Sequence, residues 1–147
     1  MHRRRAITLA GTTLLASLAG CSVPTFDESS GVTLERVTVR NYLDESVPVS
    51  LLLVADETVV RWTTLTVPGP PNPFAALEDL PDSRRPYVLY AQVPETDRDR
   101  PVRADLVEDA GEQSCLTVTL EVRASERDES TVPTVVYGTI GRCRDAQ

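Results

Sequence analysis

Residues 114–143 read "SCLTVTLEVRASERDESTVPTVVYGTIGRC". Apolar and polar residues alternate on both sides of an acidic centre, the period of a strand with one buried face. Folding the stretch on a turn at Asp128 and Glu129 sets Val118 opposite Ile140, Leu120 opposite Gly138 and Val122 opposite Val136. These share a face, which is expected to be the core face. On the other face Thr119 meets Thr139, Glu121 meets Tyr137, and Cys115 meets Cys143. Directly opposed Cβ atoms lie about 4.5–5.5 Å apart, and a disulfide needs roughly 3.5–4.5 Å. A small local adjustment closes that gap, so a Cys115–Cys143 disulfide is expected in an oxidising compartment. Its rivals are free thiols and a two-thiolate metal site, and the latter lacks further Cys or His ligands.

Working outward, the same period and a Val, Thr, Leu and Tyr content predict seven strands. They fall at about 32–42, 47–55, 58–67, 86–93, 101–108, 114–124 and 132–141. "NYLDES" (41–46) and "ADET" (55–58) carry Asp, Asn and Ser as turns do. Short strands at this spacing predict an all-β antiparallel sandwich over residues 32–144. One short helix is expected in "PGPPNPFAALEDLP" (68–81), with Asn72 as N-cap, Pro73 at its first position and Pro81 as its stop. Phe74, Leu77 and Leu80 would dock it on the sandwich edge. Most of the aromatics (Tyr42, Trp62, Phe74, Tyr87 and Tyr90) are expected in the core, while Tyr137 lies outside it, open to a partner.

The N-terminal stretch has a different grammar. Arg3, Arg4 and Arg5 precede the apolar residues 6–19, and small residues then lead to Cys21. As a helix those 14 residues span about 21 Å, short of the roughly 30 Å of a bilayer core. Residues 1–20 therefore read as a signal peptide. Leu18-Ala19-Gly20-Cys21 matches a lipobox, in which the thiol is alkylated by a lipid and the preceding peptide bond is cut. Arg4 and Arg5 resemble a twin-arginine export signal, with Arg3 standing where Ser or Thr is usual. Residues 21–31 form a polar, lipid-attached tether with a reach of roughly 17 Å. The expected location is the extracytoplasmic face of the cell membrane, with membrane lipid bound through Cys21.

Composition narrows the chemistry. The chain has 15 basic residues, all Arg, against 22 acids, for a net charge of −7. Removal of residues 1–20 would leave 12 Arg and a charge of −10, and would take away the only His. An acidic surface argues against nucleic acid and anionic lipid as partners, since both need a basic surface. A chain without His or Lys has no Ser-His-Asp triad, Cys-His pair, Schiff base or His-containing metal site. No cofactor, metal or catalytic residue is expected. At molar salt the Debye length falls to about 3 Å, so carboxylate repulsion costs little, and a lysine-free acidic surface fits a halophilic protein. Carboxylates crowd at Asp97 and Asp99, and again at Asp105, Glu108, Asp109 and Glu112, but without EF-hand spacing.

"VTVRNYLDESVPVSLLLVADETVVRWTTLTVPG", "PYVLYAQV" and "CLTVTLEV" resemble the immunoglobulin-like domains of haloarchaeal surface lipoproteins, over about residues 32–123. The resemblance rests on strands around Asn41, Trp62, Tyr87 and Cys115. It implies a seven-stranded immunoglobulin-like sandwich with Trp62 in the core of its third strand. It implies a place and a fold, with no reaction. The expectation is a non-enzymatic, lipid-anchored domain that binds a ligand or an envelope protein. The alternatives are an accessory subunit of a membrane transporter or secreted enzyme, and a calcium- or carbohydrate-binding module.

Overall fold

A computed structural model describes residues 31–95, 101–127 and 130–143. The element order is β1 (Thr33–Asn41), β2 (Val47–Ala55), β3 (Thr58–Val67), β4 (Phe74–Ala76), β5 (Tyr87–Gln92), β6 (Val102–Asp105), α1 (Leu106–Ala110), β7 (Cys115–Arg127) and β8 (Ser130–Arg142). These strands form two four-stranded sheets, ordered β4-β1-β7-β8 and β3-β2-β5-β6. The chain is therefore an all-β sandwich, with eight strands among the described residues where seven were expected. Every pairing is antiparallel except β1 with β7, which is parallel.

The alternation that predicted the strands is the alternation that fills the core. Along β2, Val47, Val49, Leu51, Leu53 and Ala55 point inward, while Pro48, Ser50, Leu52 and Val54 face out. Val37 and Val39 from β1, Leu89 from β5, and Leu116, Leu120 and Val122 from β7 meet them from both sheets. Each such Val or Leu is worth about 1.5–3 kcal/mol when fully buried. The β2–β3 turn places Asp56 and Glu57 at φ 48° and 60°, as a two-residue hairpin loop requires. Asp56 is held there by Arg85, whose Nη2 lies 2.8 Å from Oδ2.

Three expectations are corrected. The segment 68–81 is not a helix: Phe74–Ala76 forms β4 against β1, with Arg40 paired to Phe74 and Thr38 to Ala76. Prolines deprive this stretch of backbone donors, and β1 offers an open edge. The Asn41 amide bonds Pro73 O at 2.8 Å and the Leu77 amide bonds Val37 O at 2.9 Å. Leu77 is buried and Leu80 packs on the core, but Phe74 is 51% exposed. The helix lies elsewhere, at Leu106–Ala110, so the strand expected over 101–108 ends at Asp105. Asp105 accepts a hydrogen bond from the Glu108 amide at 3.3 Å, and Leu106 and Ala110, one turn apart, are buried. Trp62 is not in the core; it is 76% exposed, and of the expected core aromatics only Tyr87 is fully buried.

The β7–β8 hairpin pairs as anticipated from Val118–Ile140 to Thr119–Thr139, then slips by one residue. Leu120 faces Tyr137 instead of Gly138, Glu121 faces Val136 instead of Tyr137, and Val122 faces Val135 instead of Val136. Gly138 is the extra residue of a bulge. A Cβ there would stand 2.6 Å from Thr119 O and 3.0 Å from Glu121 Cγ, so glycine is the residue that fits. The bulge turns Tyr137 inward, against the core, where the unbroken register had it outside.

Among the described residues one polar side chain is buried in this core. Asn41 ends β1 and is 2% exposed. Its Nδ2 donates to the carbonyls of Glu45 at 2.7 Å, Val67 at 3.2 Å and Pro68 at 3.3 Å. Its Oδ1 accepts from the Leu43 amide at 2.9 Å. The side chain therefore ties β1 of one sheet to the end of β3 in the other and closes the 42–46 turn between them. Asn41→Ala would leave these groups unpaired at a cost of about 2–3 kcal/mol. Urea unfolding is expected to show that loss with an unchanged slope, and a loss under about 1 kcal/mol would contradict the role given to Asn41.

Candidate functional site

The predicted lipid-attachment and signal residues, Arg4, Arg5, Leu18, Ala19, Gly20 and Cys21, lie outside the described residues, as do Asp97 and Asp99. No described helix is long and apolar enough to cross a membrane. Cys115 and Cys143 are joined by a disulfide, with Cα atoms 5.5 Å apart. The bond closes the open end of the β7–β8 hairpin, just beyond the Leu116–Arg142 pair. Across a separation of 28 residues it contributes about 3–4 kcal/mol by the chain-entropy relation.

The second acidic cluster is dispersed by the fold. Asp105 caps α1 and pairs with Arg103, Asp109 lies beside Tyr137, and Glu108 and Glu112 point to solvent. Among the described residues no three metal-ligating side chains converge.

What the fold does assemble is an aromatic and apolar face on the outside of the β3-β2-β5-β6 sheet. The registers place Trp62 opposite Leu52, Leu52 opposite Tyr90, and Tyr90 opposite Arg103, a single row across four strands. Directly opposed residues share a face. The next row is Thr64, Ser50 and Gln92, with Ser50 Oγ and Thr64 Oγ1 2.9 Å apart. On the far side Val59 meets Val54 and Val54 meets Val88. Trp62, Leu52, Tyr90, Ser50, Gln92 and Pro101 line a shallow cavity of about 210 Å³. With Trp62 at 76% and Val59 at 56% exposure, the face is an apolar floor with a hydroxyl and amide rim. Such patches mark interaction surfaces.

The residue that matters most here, Trp62, was legible as a strand residue and misread as to side. Thr64 and Thr66 share its parity and are exposed with it; a strand with Thr at the next two positions on the same side faces water. β3 is also an edge strand, paired with β2 alone.

Tyr137 carries the largest electrostatic perturbation. Burial first, and the Asp109 carboxylate second, hold its hydroxyl well above the ordinary value of 10.0. Its oxygen is buried without a hydrogen-bond partner of ordinary geometry, so the looser Asp109 contact acts through charge. The folded state thus keeps this proton at pH values where the unfolded chain loses it. Stability from this group is full below pH 10 and falls as pH rises beyond that. Tyr137→Phe is expected to flatten the alkaline fall in melting temperature and to leave stability at pH 7 unchanged or higher. An alkaline fall as steep as that of the unaltered protein would contradict the assignment.

No protein-family model, no curated protein and no solved structure matches this chain.

Proposed function

We propose that the chain is an exported, lipid-anchored, non-enzymatic binding domain of the cell envelope, held on the extracytoplasmic side through Cys21. The observation that carries the binding role is the exposure of the only Trp, 76% open at the β3 end of the row that continues through Leu52 and Tyr90. An isolated exposed Leu needs no explanation; a Trp flanked by Leu52, Tyr90, Val59 and Val88 costs solubility unless a partner covers it. The location rests on the signal-like residues 1–20, the lipobox, and a disulfide of the kind that persists in oxidising surroundings. The acidic, lysine-free composition supports a halophilic setting.

An immunoglobulin-like fold is part of this proposal only in the broad sense of two facing β-sheets. β2 and β3 pair within one sheet, whereas the immunoglobulin order assigns the second and third strands to different sheets. The exposed Trp62 and Val59 side chains favour a protein partner over a small molecule, which makes an accessory subunit beside a membrane complex the second reading.

Two measurements on the protein in its own cell test the proposal. Cys21→Ser should move the protein from the membrane fraction to the soluble fraction; retention on the membrane would remove the anchor. A photo-crosslinking residue at Thr64 should give a discrete adduct that disappears with Trp62→Ala, while the same residue at the exposed Glu112, beyond α1, should not. Equal adducts from both positions would contradict a Trp62-centred interface.

A further inference from the structure

The outer face of the other sheet has a different chemistry. We propose that it is a separate binding site for an acidic polysaccharide, read by arginine edges set between aromatic rings. The observation is independent of the Trp62 face and of the export reading.

A ladder of alternating rings and guanidinium groups runs across β4, β1 and β7. Arg40 stacks 5.3 Å from the centre of the Phe74 ring and 4.5 Å from that of Tyr42. Arg123 covers Tyr42 at 4.4 Å. Glu121 then holds Arg123 at 2.7 Å and accepts from the Tyr42 hydroxyl at 3.3 Å. Phe74 at 51% and Tyr42 at 43% exposure keep much of their surface open. Stacking uses the faces of a guanidinium and leaves its N–H edges free. Arg40 makes no hydrogen bond or ion pair among the described residues, so it is fixed in place with its donors unused.

Charge is distributed unevenly across the molecule. Arg61, Arg85, Arg103 and Arg123 are each paired with a carboxylate. Arg36, Arg40 and Arg142 are not, among the described residues. Arg36 and Arg142 line a groove of about 280 Å³ with Phe74 and the hydroxyl-bearing Thr38, Thr117 and Thr119. Glu35 also lines it, so the face carries four guanidinium groups against the carboxylates of Glu35 and Glu121. In a chain of net charge −7 this is a local reversal of sign.

The pattern selects a ligand class. Arg36 and Arg40 are separated by about 13 Å of strand, with the Thr38 hydroxyl between them and the Phe74 ring beside Arg40 on β4. A polymer that alternates anionic groups with sugar rings offers both partners, since C–H faces of sugars pack on Phe74 and Tyr42 and hydroxyls meet the threonines. The rest of the surface is acidic and repels any polyanion, so binding rests on the contacts within this patch. Contact pairs with guanidinium and stacking on rings also persist where salt screens longer-range attraction to about 3 Å.

The test measures binding of the purified protein to dextran sulfate, polygalacturonate, neutral dextran and phosphatidylglycerol vesicles at one fixed salt concentration. Both acidic polymers should bind and dextran should not. Arg36→Gln with Arg40→Gln should weaken binding about tenfold or more, while Arg103→Gln on the opposite sheet leaves it unchanged. Arg36→Gln alone, which breaks no described contact, should weaken it in the same direction if the double variant melts early. Equal affinity for dextran, indifference to the variants, or tighter Arg36-dependent binding to the vesicles would each overturn the proposal.

Discussion

The sandwich depends on Asn41. A two-sheet fold must bury the ends of its strands, and there the backbone runs out of ladder partners. At the end of β1 one amide meets that need. It serves the carbonyls of Glu45, Val67 and Pro68 and the amide of Leu43. An apolar residue here would pack but leave those groups without partners. A charged one would bring its own desolvation cost. Because Val67 and Pro68 follow from the second sheet while Asn41 closes the first, the contact sets where the sheets meet. β1 is then free to act as the spine of its sheet, antiparallel to β4 on one side and parallel to β7 on the other.

Once the sheets are locked face to face, the alternation of side chains does the rest. Every residue that leaves the core by parity arrives on one of two outer faces, and these differ. One is apolar around Trp62, Leu52 and Tyr90. The other is cationic and aromatic around Arg40, Tyr42 and Phe74. A small domain with two unlike faces suits bridging between two different partners, and neither face needs titrating chemistry to do so.

Much of this was legible in the residues. The hairpin from Cys115 to Cys143 could be paired by eye, because alternation is strict near the cysteines and acidic residues mark the turn. The disulfide followed from that register. The failures have different causes, and only the first is tertiary context overriding local pattern. "NPFAAL" carries a helix cap and helix formers, yet the empty edge of β1 captured it as a strand. "DLVEDAG" held a cap, an i, i+4 apolar pair and a terminal glycine, but is too short to stand out from the strand before it. Gly138 was the visible signal of a bulge, and missing it inverted Tyr137, Val136 and Val135 together, as any one-residue slip must. Trp62 was misassigned because the resemblance to an immunoglobulin core was weighed above parity.

The placement of Trp62 on the surface carries the binding account, and it can be checked with the unmodified protein. Trp62 is the only tryptophan, so its fluorescence reports on this face alone. The native protein is predicted to emit at nearly the wavelength of the urea-unfolded chain, with nearly equal quenching by iodide. A blue-shifted native emission shielded from iodide would put Trp62 in the core and contradict the account.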